Sequence, residues 1–321
     1  MLFEAHEPTG KLKKIQLDTH PLCALFEQEI VTESGDVESA IVVRYRGSPV
    51  QDNTSAADEK GMALRVPLEP NLASLEKMDV DLHGSPASAY RMGDAYDDYF
   101  SERFGIPTIL VYLGDGRRAV LGKTLVPKPA HEEQQRGGWI KSLTSYLTGP
   151  QESVEVENST WLSFTDVAPL MVASESSLRD VRDRLLNGLP VGMYKFRPNI
   201  VVDGQGEDAW AEDFWAELQI GAGNEDSTPR NTLQLTGNCV RCLSLNVDYK
   251  TGKPAESEEG NVLKKLMKDR RVDTGSKWSP VFGRYAFLDS HHSGTVSVSV
   301  GDAVDVTRRN AERSVWDWPG L

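Results

Sequence analysis

The sequence predicts a mixed, mainly β protein, a β-barrel-like body with peripheral helices preceded by a β-rich N-terminal region. Three observations lead there. Short runs of β-branched and apolar residues, bounded by turn residues, recur along the chain. Few stretches carry the three-to-four-residue apolar spacing of an amphipathic helix. Finally, 321 residues with 39% hydrophobic content suffice for one large or two modest domains.

Taken in order, Ala40 to Tyr45 is a strand rich in β-branched residues. Asp94 to Gly105 is a short helix: Asp94 caps it, Tyr96, Tyr99, Phe100 and Phe104 share its apolar face, and Gly105 ends it. Thr108 to Leu113 and Arg118 to Leu121 flank Gly114-Asp115-Gly116, whose tolerance of positive φ predicts a hairpin. Pro127 to Glu157 is polar and breaker-rich, an inter-domain connection with a small amphipathic turn at Trp139 to Leu143. Pro169 to Ala173 is a buried strand; Ser176 or Ser177 then caps a helix with Leu178, Val181, Leu185 and Leu186 inward, ending near Gly188 and Pro190. Asn199 to Gly204 is a strand into a turn, and Val262, Leu263, Leu266 and Met267 mark a second amphipathic helix. Thr295 to Asp302 alternates with period two, a half-buried strand.

Lys+Arg 35 against Asp+Glu 48 leaves a net charge of −13. Such a field repels nucleic acid and anionic membranes, so an anionic ligand needs a local cluster of cations. No stretch approaches the ~20 apolar residues of a membrane span. The start carries no signal-peptide or other targeting pattern. Three cysteines, Cys23, Cys239 and Cys242, make no disulfide framework, which points to a reducing, intracellular setting.

Cys239-Val240-Arg241-Cys242 is the first candidate for chemistry. A structural zinc site needs two more ligands, yet Cys23 is remote and His291-His292 are adjacent. A redox dithiol should open a helix, whereas Leu243 to Asp248 alternates like a strand. Two buried structural cysteines are the plain alternative. Arg241 weighs against it, because a guanidinium stabilises the thiolate that binds metals. Arg197 offers bidentate capture of a phosphate or carboxylate, or else a surface ion pair, and Asn199 offers a donor and an acceptor. Glu212 and Asp213 fit an ordinary helix start.

Six segments in order resemble the MOSC domain found at the C-terminus of molybdenum cofactor sulfurases. They are Asp166 to Leu178, Phe196 to Val201 (Phe-Arg-Pro-Asn-Ile-Val), Glu212 to Trp215, Cys239 to Cys242 with Val247 to Gly252, Ser279 to Tyr285, and Gly301 to Val304. The amidoxime-reducing component branch, which adds a preceding β-rich domain, is the most similar in layout, and Tyr90 to Leu113 resembles the end of that domain. The division expected is an N-terminal MOSC-associated domain at 1–128, a linker at 129–148, the MOSC β-barrel at 149–308 and a tail at 309–321.

The resemblance implies a bound molybdenum cofactor (molybdopterin). Cys242 matches the metal ligand, Cys239 does not, and a thiolate suits a metal that changes oxidation state. Arg197 and Asn199 match the residues that hold the pterin and its phosphate. Val240 and Arg241 stand beside the ligand, and Asp166 matches a pocket-lining position. The activity implied is reduction of small N-hydroxylated molecules, with electrons from a cytochrome b5-type donor and its NADH-dependent reductase. The setting implied is cytoplasmic or mitochondria-associated. The alternatives are a sulfur-carrier module like the sulfurase C-terminus, or a degenerate barrel without cofactor. Pyridoxal phosphate accompanies the family only through a fused aminotransferase-like half, and no Schiff-base lysine for it is recognisable. The family opens with a Tyr-Pro-Ile-Lys-Ser type strand and a turn ending in Asp-Arg, whose cations complete the phosphate site. This chain begins after that turn, so the expectation is an open sheet edge and a weakened phosphate site, each lost contact worth about 1.5–3 kcal/mol. Lys11 to Lys14 reads as a solvated strand or turn.

Overall fold

The computed structural model describes residues 1–6, 11–32, 38–47, 63–127, 160–186, 190–221, 231–289 and 295–321. The protein is mainly β, two curled half-barrel sheets with few helices. The N-terminal half runs through β1 (Leu2–His6), β2 (Lys11–Lys14), β3 (Phe26–Val31), β4 (Ala40–Tyr45), β5 (Ala63–Pro67), β6 (Glu76–Leu82), β7 (Ser85–Arg91), α1 (Asp94–Phe104) and β8 (Thr108–Tyr112). Its main sheet has the order β2-β1-β8-β7-β6, and β3-β4-β5 form a second, three-stranded sheet. Tyr99 and Phe100 of α1 pack between the two, against Phe26, Val43 and Leu110. Gly105 ends this helix in the left-handed region. At its start the cap position is Gly93, not Asp94, and Asp94 pairs instead with Arg91 at 2.7 Å.

The hairpin expected around Gly114-Asp115-Gly116 does not form, although the turn does. Gly116 N–H closes it onto Leu113 O, and the Tyr90 hydroxyl holds Asp115. The chain then leaves the sheet, and β9 (Arg118–Ala119) pairs with β10 (Trp161–Leu162). The cause is Arg118, buried to 1% exposure, which donates to Leu82 O, Ser163 O and Thr165 O within 2.9 Å. A cation that satisfies buried carbonyls from both halves outweighs a local turn preference. The proposed connection, with its turn at Trp139 to Leu143, lies outside the described residues.

The C-terminal half adds β11 (Leu170–Ser174), α2 (Glu175–Asp183), β12 (Ile200–Val202), β13 (Trp215–Gly221), β14 (Asn231–Val240), β15 (Val247–Asp248), β16 (Lys253–Pro254), α3 (Val262–Leu266), β17 (Val281–Leu288) and β18 (Ala303–Arg309). Its six-stranded sheet has the order β12-β11-β17-β14-β13-β18. β11 and β12 are parallel, and α2 supplies the crossover such a pair needs. Leu178 and Val181 of α2 are fully buried, but the cap is Ser174, whose hydroxyl accepts from Ser176 N–H. Ser176 and Ser177 instead tie α2 to Gly204 O and Glu212. Leu186, expected inward, is 65% exposed.

Two further expectations shift. Residues 295–299 have no regular structure, and the last strand is β18, eight residues after the alternation begins. Asp302 there accepts from Ser299 N–H and turns the chain before it meets β13. Leu243 to Asn246 is a 3-10 turn rather than a strand, and only Val247 and Asp248 are extended.

The two halves are joined closely. Trp318 donates its indole N–H to His83 O at 2.8 Å, and Thr124 binds Asp317. Arg46 reaches Tyr249 O at 3.1 Å. Gly252, at φ 61°, lies where a Cβ would stand 2.8 Å from Leu25 Cγ, so the β15–β16 turn packs on the N-terminal half only as glycine. Residues 309–321 also enter the core, with Trp316 and Trp318 both buried.

Candidate functional site

The end of β14 presents the two cysteines to opposite environments. Near the end of this strand, which is buried on both faces, Cys239 lies in the core, and the chain then leaves the sheet so that Cys242 is exposed. Cys242 occupies the cap position of the 3-10 turn Leu243–Asn246, its Sγ 3.2 Å from the Ser244 hydroxyl. Burial raises the pKa of the Cys239 thiol, against the pull of Arg241, so Cys239 stays a thiol. Val240, half-buried, closes the ladder opposite Val281.

Arg241 is buried, and its guanidinium holds parts of the site together. Nη1 donates to Cys239 Sγ at 2.9 Å and faces Met171 Sδ at 3.5 Å, while Nη2 donates to Phe196 O at 2.9 Å. That last bond ties the Cys239–Cys242 segment to the one carrying Arg197. Arg197 is exposed at φ 55°, and among the described residues its guanidinium makes no hydrogen bond or ion pair. Its charge is felt by Asp166, Cys23 and Tyr249. Asn199 clamps β11, accepting from Met171 N–H at 2.8 Å through Oδ1 and donating its own N–H to Met171 O. Its side-chain NH2 remains for a ligand.

Asp166 completes the set of residues expected from the sequence. Oδ1 lies 2.8 Å from His83 Nε2, and Oδ2 accepts from the Tyr285 hydroxyl at 2.5 Å. Burial alone would raise its pKa, yet the bonds from His83 and Tyr285 and the charge of Arg197 hold it at about 2. Its side chain is 52% exposed, so the carboxylate faces solvent as well as its partners.

Several residues here were not expected from the sequence. Lys14 places Nζ 2.6 Å from His83 Nδ1. Lys195 is fully buried, donating to Val247 O at 2.6 Å, pairing with Glu259 and lying over the Tyr249 ring. Burial raises the Cys23 thiol to about 12, which keeps it protonated beside Arg197. Gly283 at φ 78° allows the close approach of β17 to β11, since a Cβ would meet Val172 O at 2.8 Å. This brings Tyr285 to Asp166.

The donors fit an anionic, metal-bearing ligand. An exposed thiol, an exposed arginine and the Asn199 amide come from segments that Arg241 binds together. The buried Tyr249 hydroxyl and Arg241 Nε have no hydrogen-bond partner among the described residues, which a polar ligand would relieve. Tyr249 feels the charges of Arg197, Arg241 and Cys242. Among the described residues no three His, Cys, Asp or Glu side chains cluster as a metal cage, so a metal here would arrive carried by its own ligand.

Residues 159–305 match the MOSC domain family. Over 147 residues the chain is 35% identical to mitochondrial amidoxime-reducing component 1 of Homo sapiens, covering 44% of this chain and 38% of that protein. It is 33% identical over 144 residues to mitochondrial amidoxime reducing component 2 of Bos taurus, covering 44% and 38%. Molybdenum cofactor sulfurase of Oryza sativa subsp. japonica is 26% identical over 243 residues, covering 73% of this chain and 24% of that protein. The chain therefore spans well under half the length of these relatives. No helix among the described residues is long and apolar enough to cross a membrane.

Proposed function

The chain carries a MOSC domain over residues 159–305, and from that premise we propose that it binds a molybdenum cofactor and reduces N-hydroxylated compounds. The observation that carries this reading is the opposed fate of the two cysteines: Cys239 is sealed as a thiol, while Cys242 is presented outward beside Arg241. Relatives named for amidoxime reduction and for the molybdenum cofactor support it. The division into 1–128 and 149–308 is part of the same proposal.

Cys242 would hold the metal, Arg197 and the Asn199 amide the anionic and pterin portions, and the Tyr249 hydroxyl a further polar atom. Bound, the cofactor supplies two-electron redox chemistry that no side chain here can. Arg241 keeps the Arg197 and Cys242 segments at fixed separation. Asp166, ionised at any physiological pH, serves as a fixed acceptor rather than a proton donor. The net reaction breaks the N–O bond of an amidoxime, consuming two electrons and two protons and leaving an amidine and water. The electrons come from a cytochrome b5-type protein and its NADH-dependent reductase.

The test is turnover of an aromatic amidoxime by the purified full chain, supplied with NADH, cytochrome b5 and its reductase. Amidine should form with wild-type protein and fall to background in Cys242→Ser. Undiminished turnover in Cys242→Ser, or none by protein that holds molybdenum, would contradict the reading.

A further inference from the structure

Lys14, His83, Asp166 and Tyr285 form one hydrogen-bonded line from the N-terminal sheet into the MOSC domain. A lysine ammonium has only donors, so His83 Nδ1, 2.6 Å from Lys14 Nζ, accepts. The imidazole proton then belongs on Nε2, facing Asp166 Oδ1 at 2.8 Å. The Tyr285 hydroxyl donates to Asp166 Oδ2 at 2.5 Å, and Tyr285 also interacts with Cys239, whose thiol is directed to Val240 O at 3.9 Å. Cys239 Sγ accepts from Arg241, and Arg241 donates to Phe196 O. From Lys14 through His83 and Asp166 to Tyr285 the donors and acceptors match, and contacts through Cys239 and Arg241 carry the line to the segments bearing Cys242 and Arg197.

One member of the line, His83, also has an unusual backbone conformation. Among the described residues, three other than glycine have positive φ: His83 at 61°, Arg197 at 55° and Trp210 at 71°. His83 is held in this conformation by Trp318 on its own carbonyl, Arg118 on Leu82 O and Asp81 on Gly84 N–H. His83 and Gly84 are the two loop residues of the β6–β7 hairpin, a turn that takes positive φ at both positions, so the imidazole is presented from a fixed point of the sheet.

We propose that Lys14 and His83 are positioning residues of the cofactor site, through which the N-terminal sheet sets the orientation of Asp166 and Tyr285 and, beyond them, of Arg241. This rests on the cofactor reading above. Removing such outer partners typically lowers activity or metal affinity by roughly 10–100-fold. The imidazole also has a distinctive substitute: the amide of glutamine offers one donor and one acceptor, whereas phenylalanine offers neither.

The experiment uses the full chain, ¹⁵N-labelled in histidine, together with holoenzyme reducing an aromatic amidoxime from a chemical reductant. His83 should show a protonated Nε2 and an unprotonated Nδ1 in wild type, and Lys14→Met should perturb that signal. His83→Phe and Lys14→Met should lower kcat roughly tenfold or more, at unchanged KM and molybdenum content, and His83→Gln should recover most of the loss. A proton on Nδ1, a Lys14→Met protein with wild-type kcat, or folded His83→Gln and His83→Phe proteins equally impaired would overturn the proposal. Failure of the cofactor reading shows separately, as wild-type protein without molybdenum. The imidazole signature then judges the line alone.

Discussion

In the proposed cofactor site Arg197 is the residue that captures the anion, and its chemistry can be separated from its charge. Lysine keeps the charge but not the planar pair of donors. Arg197→Lys should therefore lower cofactor occupancy and shrink the rise in Tm on adding cofactor, which reports binding through linkage. An undiminished rise would remove Arg197 from the site. Sequence spacing alone could nominate Cys239 and Cys242 but not separate them; that came from the end of the buried strand at Val240, which leaves Cys239 within it and Cys242 beyond it. Lys14 went unrecognised because the run Lys11 to Lys14 looks uniformly polar. Strand alternation nevertheless puts Leu12 and Lys14 together on the less exposed face of β2. His83 had no local signal beyond the glycine after it, since its role comes from a lysine and an aspartate remote in sequence.

The turn Ala211–Phe214 shows at the scale of one element how burial overrides a local pattern. Glu212 and Asp213 look like solvated carboxylates at a helix start, yet both are fully buried. Asp213 pairs with Arg270, at 2.7 and 2.9 Å, and with Arg313. Glu212 has only Ser177 on one oxygen and no partner for the other among the described residues. Burial, reinforced by the Asp213 charge, raises it to about 7 despite the bond from Ser177. Its pKa is raised on folding, so the folded state binds the extra proton. Stability falls as pH rises from about 4.5 to about 7 and then levels. Glu212→Gln should flatten that slope and gain on the order of 3 kcal/mol relative to wild type above pH 7. Denaturant titrations at pH 5 and pH 8 check it; parallel pH profiles for the two proteins would refute it. Elements with a complete local signature, such as α1 and β11, were legible in the sequence. The hairpin after β8 was not, because Arg118 bonds carbonyls far away in sequence, and the strand at 295–302 was not, because the Asp302 turn displaces the pairing to Ala303–Arg309.

Across the whole molecule, the junction between the halves is the structural premise of the site. Arg118 lies at its centre, and Arg118→Ala would leave at least three buried carbonyls without a donor. The expected cost is on the order of 3 kcal/mol or more, read as a lower denaturation midpoint, and near-wild-type stability would show the clamp to be dispensable. The mainly β class and the order of the segments that resemble the MOSC domain could be read from the sequence. How tightly the N-terminal sheet closes on the site could not, because it depends on contacts such as Arg46 to Tyr249 and Trp318 to His83. The central claim is the proposal that Cys242 holds a molybdenum cofactor through its one thiolate. Molybdenum and pterin content per chain, measured on wild-type, Cys242→Ser and Cys239→Ser proteins purified alike and checked for folding, tests it most directly. The account predicts near-stoichiometric metal in wild type, loss of metal in Cys242→Ser and substantial retention in Cys239→Ser. Metal retained in Cys242→Ser, or absent from folded wild type made in a cell that synthesises the cofactor, would contradict it.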